Sequence, residues 1–159
     1  GWQTVLQVAP DEHFELGIGM DADGSDRLGS VESAVLSQPR VIDIDHHTGA
    51  ERYGQVQVVD TTAAATSELI YGLLRELEVE ITPDVAVCLL AALLTDTGSF
   101  RFSNVTATSL RIAADLVQAG AHPTPIYEAV YGTRSYGATR LLGELLGDAR
   151  LVADGRVVW

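Results

Sequence analysis

Two kinds of hydrophobic pattern alternate along the chain. Short apolar runs typical of β-strands occur in "TVLQVAP", "ELGIGMDA", "RVIDID" and "GQVQVVD". Helical spacing is clearest in "TSELIYGLLRELEV", where Leu69, Ile70, Leu73, Leu74 and Leu77 share one face. Because predicted strands alternate with predicted helices, the pattern predicts an α/β fold built around a parallel sheet.

Local signals mark the ends of several predicted elements. "DGSDRLGS" is typical of a loop, and Ser30 is the predicted N-cap of a short helix, "SVESAVL". Pro83 suits the first position of a later helix, with Thr82 as its cap, and this helix, which runs to about Thr95, is predicted to be buried on nearly all sides. Gly120 closes "TATSLRIAADLVQAG". Two more helices, "PTPIYEAVY" and "YGATRLLGELLG", and a hairpin at "ARLVADGRVVW" are predicted to follow.

Composition narrows the classes of function. The 159 residues are 47% apolar, which suffices for one folded domain or part of one. Acidic residues outnumber basic ones 22 to 10, which disfavours a broad grip on nucleic acid but permits small anions where metals reverse the local field. The single cysteine excludes an internal disulfide, and the most apolar run, "VAVCLLAALL", is too short to cross a bilayer. With no visible signal peptide, these features predict a soluble cytoplasmic protein.

Residue types that bind metals stand where predicted strands end. Asp21 follows "LGIGM", and Asp45, His46 and His47 follow "VIDI"; ligands of parallel sheets gather at the carboxyl ends of the strands. An imidazole can bind a divalent ion through one nitrogen while a carboxylate holds the other. Asp96 ends an apolar helix, where an unpartnered buried carboxylate would be costly. Taken singly, each feature also has an ordinary interpretation as a turn, a solvated strand end or a polar helix terminus.

Taken in order, these pieces resemble a known family. The segments "MDADGSDRLG", "VIDIDHHTGAERYG", "VVDTTAAATSELIY" and "LLTDTGSFRFSNVT" are similar to those of the DHH phosphoesterases. That family includes RecJ-type exonucleases, family II inorganic pyrophosphatases and oligoribonucleases of the nano-RNase type. The similarity is greatest to the nano-RNase group, the bifunctional oligoribonucleases and phosphoadenosine-phosphate phosphatases, relatives of which also hydrolyse cyclic dinucleotides. The resemblance implies a parallel sheet with helices on both faces, and a partial DHH catalytic domain over residues 1–159.

The resemblance also implies roles for individual residues. Asp21 would bridge two divalent metals, usually manganese (Mn²⁺), and His46 and Asp96 would bind the second of them. His47 would face the substrate phosphate, to stabilise it or protonate the leaving group, while Asp45 would orient the motif from behind. Such a metal pair activates water and neutralises charge on the phosphoryl group. The implied substrates are short oligonucleotides or small nucleotide phosphates, and a homodimer is an open possibility.

The resemblance has one departure. The family's first motif, His-x-Asp-x-Asp, supplies most ligands of the first metal, and no such motif occurs here. His13 lies in "APDEHFELGIG" with the wrong order and spacing, so it is interpreted as a surface residue. The glycine- and histidine-rich C-terminal substrate domain is also missing. We therefore expect a domain truncated at its N-terminus and weakly active or inactive on its own. A non-catalytic binding or assembly module is the alternative; a pyrophosphatase is disfavoured because "DTGSFRF" resembles the nuclease branch.

A few further residues carry weaker predictions. Arg101 is assigned to substrate binding, since a planar guanidinium close to Asp96 can meet a phosphate, although a solvated arginine is the simpler interpretation. Asn104 and Thr106 are expected to cap the helix that follows them. Cys88, on its apolar helix, is predicted to lie in the core.

Overall fold

The computed structural model describes residues 13–49 and 52–158 of the chain. The chain divides into two compact units, Gly1–Pro123 and Thr124–Trp159. The predicted strand "TVLQVAP" lies outside the described residues. Within the part of the chain that the structure describes, no helix is both long and apolar enough to cross a membrane.

Three parallel strands form the sheet of the first unit. They are β1 (Gly17–Met20), β2 (Val41–Asp45) and β3 (Val56–Val59). Their order is β1-β2-β3, with Met20 paired to Ile44 and Asp45 paired to Val59. The carboxyl ends of the three strands therefore meet at one edge of the sheet, and this α/β architecture confirms the predicted fold class.

Four α-helices lie in the described part of the first unit. They are α1 (Glu32–Leu36), α2 (Thr66–Glu76), α3 (Pro83–Asp96) and α4 (Ala107–Gln118). The Thr82 side chain accepts a hydrogen bond from the Val85 N–H and caps α3 as predicted. Gly120, with φ of +107°, ends α4, because a residue without Cβ adopts this backbone easily. The fully buried Leu90, Leu93 and Leu116 show that the core lies between α3 and α4.

The described part of the second unit contains helices and a hairpin. They are α5 (Pro123–Tyr131), α6 (Tyr136–Gly147), β4 (Leu151–Val152) and β5 (Val157–Val158). The Ser135 side chain accepts a hydrogen bond from the Ala138 N–H and caps α6. The two short strands are antiparallel, and Asp154 and Gly155 in their connection have positive φ, so the predicted hairpin is confirmed.

Four local predictions were wrong. The segment predicted as a loop contains a 3-10 helix at Ser25–Val31, and Ser30 lies inside it rather than capping α1. Helix α3 is not buried all round: its buried residues form a single stripe. Cys88 lies away from that stripe and is exposed, not in the core. A helix that is apolar on every side gives no sequence signal for which side faces its neighbours.

Candidate metal centre

Three of the predicted ligands meet at the carboxyl edge of the sheet. Asp21 follows β1 directly, His46 follows β2 directly, and Asp96 is the last residue of α3. His46 Nε2 lies 3.7 Å from Asp21 Oδ1 and 3.5 Å from Asp96 Oδ2. Two atoms that bind one ion at about 2.0–2.3 Å must lie within roughly 4.6 Å of each other, and both separations satisfy this condition. His46 Nε2 therefore lies close enough to each carboxylate to share a divalent cation with it.

The other ring nitrogen of His46 is engaged by the backbone. His46 Nδ1 lies 3.2 Å from the carbonyl oxygen of Ala63. Because a carbonyl can only accept a hydrogen bond, the neutral ring carries its proton on Nδ1. This leaves the lone pair of Nε2 directed toward the carboxylates of Asp21 and Asp96, which is the form of histidine that binds a metal.

Asp21 is held by both its backbone and its side chain. Its N–H donates a 3.0 Å hydrogen bond to the Ile44 carbonyl, and its φ of 60° lies in the left-handed region. The buried hydroxyl of Thr66, the first residue of α2, donates a 2.8 Å hydrogen bond to Asp21 Oδ1. The carboxylate therefore points toward His46 without relying on a bound ion.

Asp45 orients His47 by a direct hydrogen bond. His47 Nδ1 lies 2.8 Å from Asp45 Oδ1, which also accepts the backbone N–H groups of His46 and His47. Burial alone would raise the pKa of Asp45, but hydrogen bonds from His47 and Arg52 lower the pKa to about 2. The same hydrogen bond raises the pKa of His47. Asp45 is thus a buried, ionised carboxylate that favours the charged form of the half-exposed His47 ring.

Two sets of three side chains share Asp21 and His46. His47 offers a ligand atom in a group whose members all lie within 4.8 Å of one another. However, the hydrogen bond to Asp45 occupies Nδ1 of His47, so that nitrogen is not free for a metal. Asp96 has no such engagement of Oδ2 among the described contacts and stands only 3.5 Å from His46 Nε2. Among the described residues, Asp96 is therefore paired with His46 alone, whereas Asp21, His46 and His47 are the three residues whose ligand atoms all lie within 4.8 Å of one another.

Asp96 shows the electrostatic signature of a crowded acidic site. Burial and then the neighbouring Asp21 carboxylate raise the pKa of Asp96. A cation placed between the two carboxylates would reverse that shift. The Asn104 side-chain amide donates to the carbonyl oxygens of Ala64 and Asp96, both at 3.1 Å. The prediction that Asn104 caps α4 was wrong, because Thr106 forms the cap and Asn104 instead ties the end of α3 to the segment before α2.

Sequence reasoning missed Arg52. Its Nη1 donates a 2.7 Å hydrogen bond to Asp45 Oδ2, and its Nη2 donates a 2.6 Å hydrogen bond to the carbonyl oxygen of His47. The same Nη1 lies 3.6 Å from the carboxylate of Asp43, which is fully buried and whose pKa burial raises. The available signal was that a strand with two acidic residues needs a cation nearby. The residue spacing did not indicate which arginine would pair with these acidic residues.

Tyr53 packs against the first strand beside this cluster. Burial and the Asp43 carboxylate raise the pKa of Tyr53 to about 12. A Cβ at Gly19 of β1 would collide with the Tyr53 hydroxyl and ring, so only glycine leaves room for that side chain.

The remaining candidates lie at the surface. Arg101 is exposed, and its Nε donates a 2.7 Å hydrogen bond to the Gly98 carbonyl; among the described residues it forms no ion pair. Asp60 donates its N–H to the Asp45 carbonyl and caps the turn at Thr62, so it supports the end of β2 from behind. His13 is exposed, as predicted.

Comparison with known proteins adds independent findings. No family model matches the chain. It is 38% identical over 119 residues to the bifunctional oligoribonuclease and PAP phosphatase NrnA of Thermus thermophilus, covering 74% of this chain and 36% of that protein. It is 30% identical over 153 residues to the Bacillus subtilis protein of the same name, covering 94% of this chain and 49% of the relative. The chain therefore spans between a third and a half of the length of these curated relatives.

Solved structures agree on the fold. A crystal structure of an exopolyphosphatase-related protein from Bacteroides fragilis matches with a TM-score of 0.81 and 26% identity, covering 88% of this chain and 42% of that one. A putative family II inorganic pyrophosphatase from Methanococcus jannaschii matches with a TM-score of 0.56 and 21% identity, over 72% of this chain and 41% of the other, and indicates a shared fold only.

Proposed function

Because the chain belongs to the DHH family of phosphoesterases, we propose that the whole protein is a manganese-dependent hydrolase of short oligonucleotides or small nucleotide phosphates. The observation that carries this proposal is the cluster in which His46 Nε2 lies within 3.7 Å of both Asp21 and Asp96. The named activities of the two NrnA relatives support the choice of substrate class. A cytoplasmic location is part of the same proposal.

The proposed metal ligands are Asp21, His46 and Asp96. Two carboxylates and one imidazole form a mixed oxygen and nitrogen donor set, which several divalent ions of the first transition row can occupy; the choice of Mn²⁺ follows from the resemblance to the DHH family. When bound, divalent cations would lower the pKa of water and neutralise charge on the phosphoryl group. Asp21 is the residue proposed to contact a second cation, because its Oδ1 faces His46 and Thr66 while half of the side chain stays exposed.

His47 is proposed to act on the phosphate. Its Nδ1 is held by Asp45, and its side chain is 48% exposed, so the free Nε2 can reach a bound substrate. The raised pKa of His47 favours the protonated ring, which can donate a hydrogen bond to a phosphate oxygen or a proton to the departing oxygen. Asp45 would hold the ring in this orientation, as a buried carboxylate behind a histidine does in many hydrolases.

Charge favours a small substrate. The chain has a formal net charge of −12, which repels the extended phosphate backbone of a long nucleic acid. A dinucleotide or a nucleoside bisphosphate carries few charges, and the metal cluster can neutralise them locally. The exposed guanidinium of Arg101 is proposed to assist substrate binding.

The test uses the whole protein with Mn²⁺ and three substrates: a ribodinucleotide, phosphoadenosine phosphate and inorganic pyrophosphate. We expect turnover of one or both nucleotide substrates, its loss in Asp96→Asn, and its retention in Asp148→Asn, an acidic residue at the end of α6. Tight Mn²⁺ binding without turnover of any substrate would contradict the proposal and favour a non-catalytic binding module. Preferential turnover of pyrophosphate would contradict the proposed substrate class.

A further inference from the structure

We propose that Arg52 is a positioning residue for His47 and that it acts through Asp45. The expected effect on catalysis rests on the proposed function. The contacts among Arg52, Asp45 and His47 are those of the described structure and do not depend on it.

The guanidinium holds two different parts of the His47 environment at once. Arg52 Nη1 donates to Asp45 Oδ2 at 2.7 Å, and Arg52 Nη2 donates to the His47 carbonyl oxygen at 2.6 Å. The other carboxylate oxygen, Asp45 Oδ1, accepts from His47 Nδ1 at 2.8 Å. These three hydrogen bonds form a closed ring that runs from guanidinium to carboxylate to imidazole and back through the His47 backbone. Rotation of the Asp45 carboxylate or the His47 ring must break at least one of them.

Burial stabilises this closed ring of three hydrogen bonds. Asp45 is fully buried and the Arg52 side chain is 12% exposed, so water has little access to the carboxylate–guanidinium pair. The planar fork of arginine presents two N–H groups in a fixed relation, and here they reach two separate acceptors. An ammonium group has no such fork and can serve both acceptors only by moving between them.

The same charge also compensates a second buried acid. Arg52 Nη1 lies 3.6 Å from Asp43 Oδ2, and Asp43 is also fully buried on β2. One guanidinium therefore faces both carboxylates of β2, and its removal would leave the buried Asp43 without a cation and Asp45 with His47 as its remaining partner. For this reason a variant that keeps a positive charge is needed beside the truncation.

Loss of the Arg52 guanidinium should affect the orientation of His47 more than the binding of substrate or Mn²⁺. Without Arg52, Asp45 Oδ2 loses its donor and the His47 carbonyl oxygen loses its hydrogen bond. The His47 imidazole can then leave its single orientation. Misplacement of a catalytic group by about 1 Å can cost roughly 100-fold in rate. We expect Arg52→Ala to lower kcat about 10- to 100-fold with little change in KM. The contacts of His46 with Asp21 and Asp96 do not involve Arg52, so affinity for Mn²⁺ should stay within about threefold.

The decisive readout is the tautomer of the His47 ring, which needs no activity. In the metal-free whole protein, at a pH where the ring is neutral, long-range ¹H–¹⁵N NMR should show the proton on Nδ1 alone. Arg52→Ala should show a mixture with the proton on Nε2, and free guanidinium ion should restore both the single tautomer and kcat. Arg140→Ala, which breaks an exposed arginine–glutamate pair on α6, is the matched control and should change neither.

Arg52→Lys keeps the proposal falsifiable if the alanine variant does not fold. It retains the charge facing Asp43 and Asp45 and lacks only the fork, so an intermediate tautomer mixture and intermediate kcat are expected. A single Nδ1 tautomer with unchanged kcat in Arg52→Lys would overturn the proposal. If the unaltered protein turns over no substrate, the proposed function fails, while the tautomer populations of the variants still decide whether Arg52 positions His47.

Discussion

The hydroxyl of Thr66 donates a 2.8 Å hydrogen bond to Oδ1 of Asp21, joining the first residue of α2 to the residue that follows β1. Thr66 is only 5% exposed, so water cannot readily replace its hydroxyl. The bond fixes the carboxylate oxygen that faces His46. Part of the candidate metal centre is thus built before any cation arrives.

Replacing this hydroxyl should weaken metal binding. Thr66→Val removes the donor at nearly constant volume, and we expect Mn²⁺ affinity to fall about 10- to 100-fold, as it does when a partner of a metal ligand is lost. Isothermal titration calorimetry measures the change. Thr139→Val, at an exposed position of α6, is the matched control. Equal Mn²⁺ affinity in the Thr66→Val variant and the unaltered protein would show that Asp21 does not need Thr66.

Substitutions of the two adjacent histidines should have different effects on metal binding and on catalysis. His46→Ala is expected to abolish tight Mn²⁺ binding, because it removes the nitrogen that faces both carboxylates. His47→Ala should leave metal affinity nearly intact and lower kcat by about 10²- to 10⁴-fold, the usual contribution of a positioned acid or base. His122→Ala, at an exposed loop position, serves as the control. Similar loss of metal in both site variants would refute this division of roles.

The buried Asp45 should make stability depend on pH at the acidic end. Its folded-state pKa is about 2 against an ordinary 3.8, so its stabilisation is present above about pH 4 and is lost as the pH falls toward 2. The difference corresponds to about 2 kcal/mol. Urea unfolding at a series of pH values should show the gap between the unaltered protein and Asp45→Asn narrowing by about this amount between pH 5 and pH 2. The exposed Asp154→Asn should show no such narrowing, and a constant gap for Asp45→Asn would contradict the assignment.

Two glycines should respond oppositely to alanine. Gly19→Ala places a Cβ against the Tyr53 hydroxyl and ring and should destabilise the protein by about 1–3 kcal/mol, the usual cost of overpacking. Gly72 lies inside α2, and a Cβ added there would meet nothing within 4 Å, so Gly72→Ala should stabilise the protein by about 0.5–1 kcal/mol. Thermal unfolding of both variants provides the measurement. Equal effects of the two substitutions would mean that Tyr53 does not pack over Gly19.

Residues at the ends of predicted strands could be placed from the sequence. Parallel strands bring their carboxyl ends to one edge, so Asp21 and His46 were expected near each other once the alternation of strands and helices was recognised. The structure places them there, together with Asp96 at the end of α3. Their proposed roles as metal ligands stay a prediction that the titrations above must decide.

Residues that support the site from loops could not be placed in this way. Arg52 reaches Asp45 because of the path the chain takes after β2, and no periodicity encodes that path. Asn104 stands where a helix cap is expected, yet Thr106 satisfies the N-terminus of α4 and frees the Asn104 amide for the end of α3. The prediction that Cys88 lies in the core was wrong for a different reason. The apolar pattern of α3 does not distinguish the side of the helix that packs against its neighbours from the side that is exposed.

The left-handed backbone of Asp21 restricts which residues evolution can place there. At a φ of 60°, glycine, asparagine and aspartate are accommodated most easily among the natural residues. Glycine offers no ligand atom and asparagine no negative charge, while glutamate carries the charge but adopts this backbone less easily. Aspartate combines the charge with a short side chain that suits the left-handed backbone, so few substitutions at this position would keep both properties. Under the proposed metal role of Asp21, the residue at this position would indicate which distant homologues have kept the metal centre and which retain only the fold.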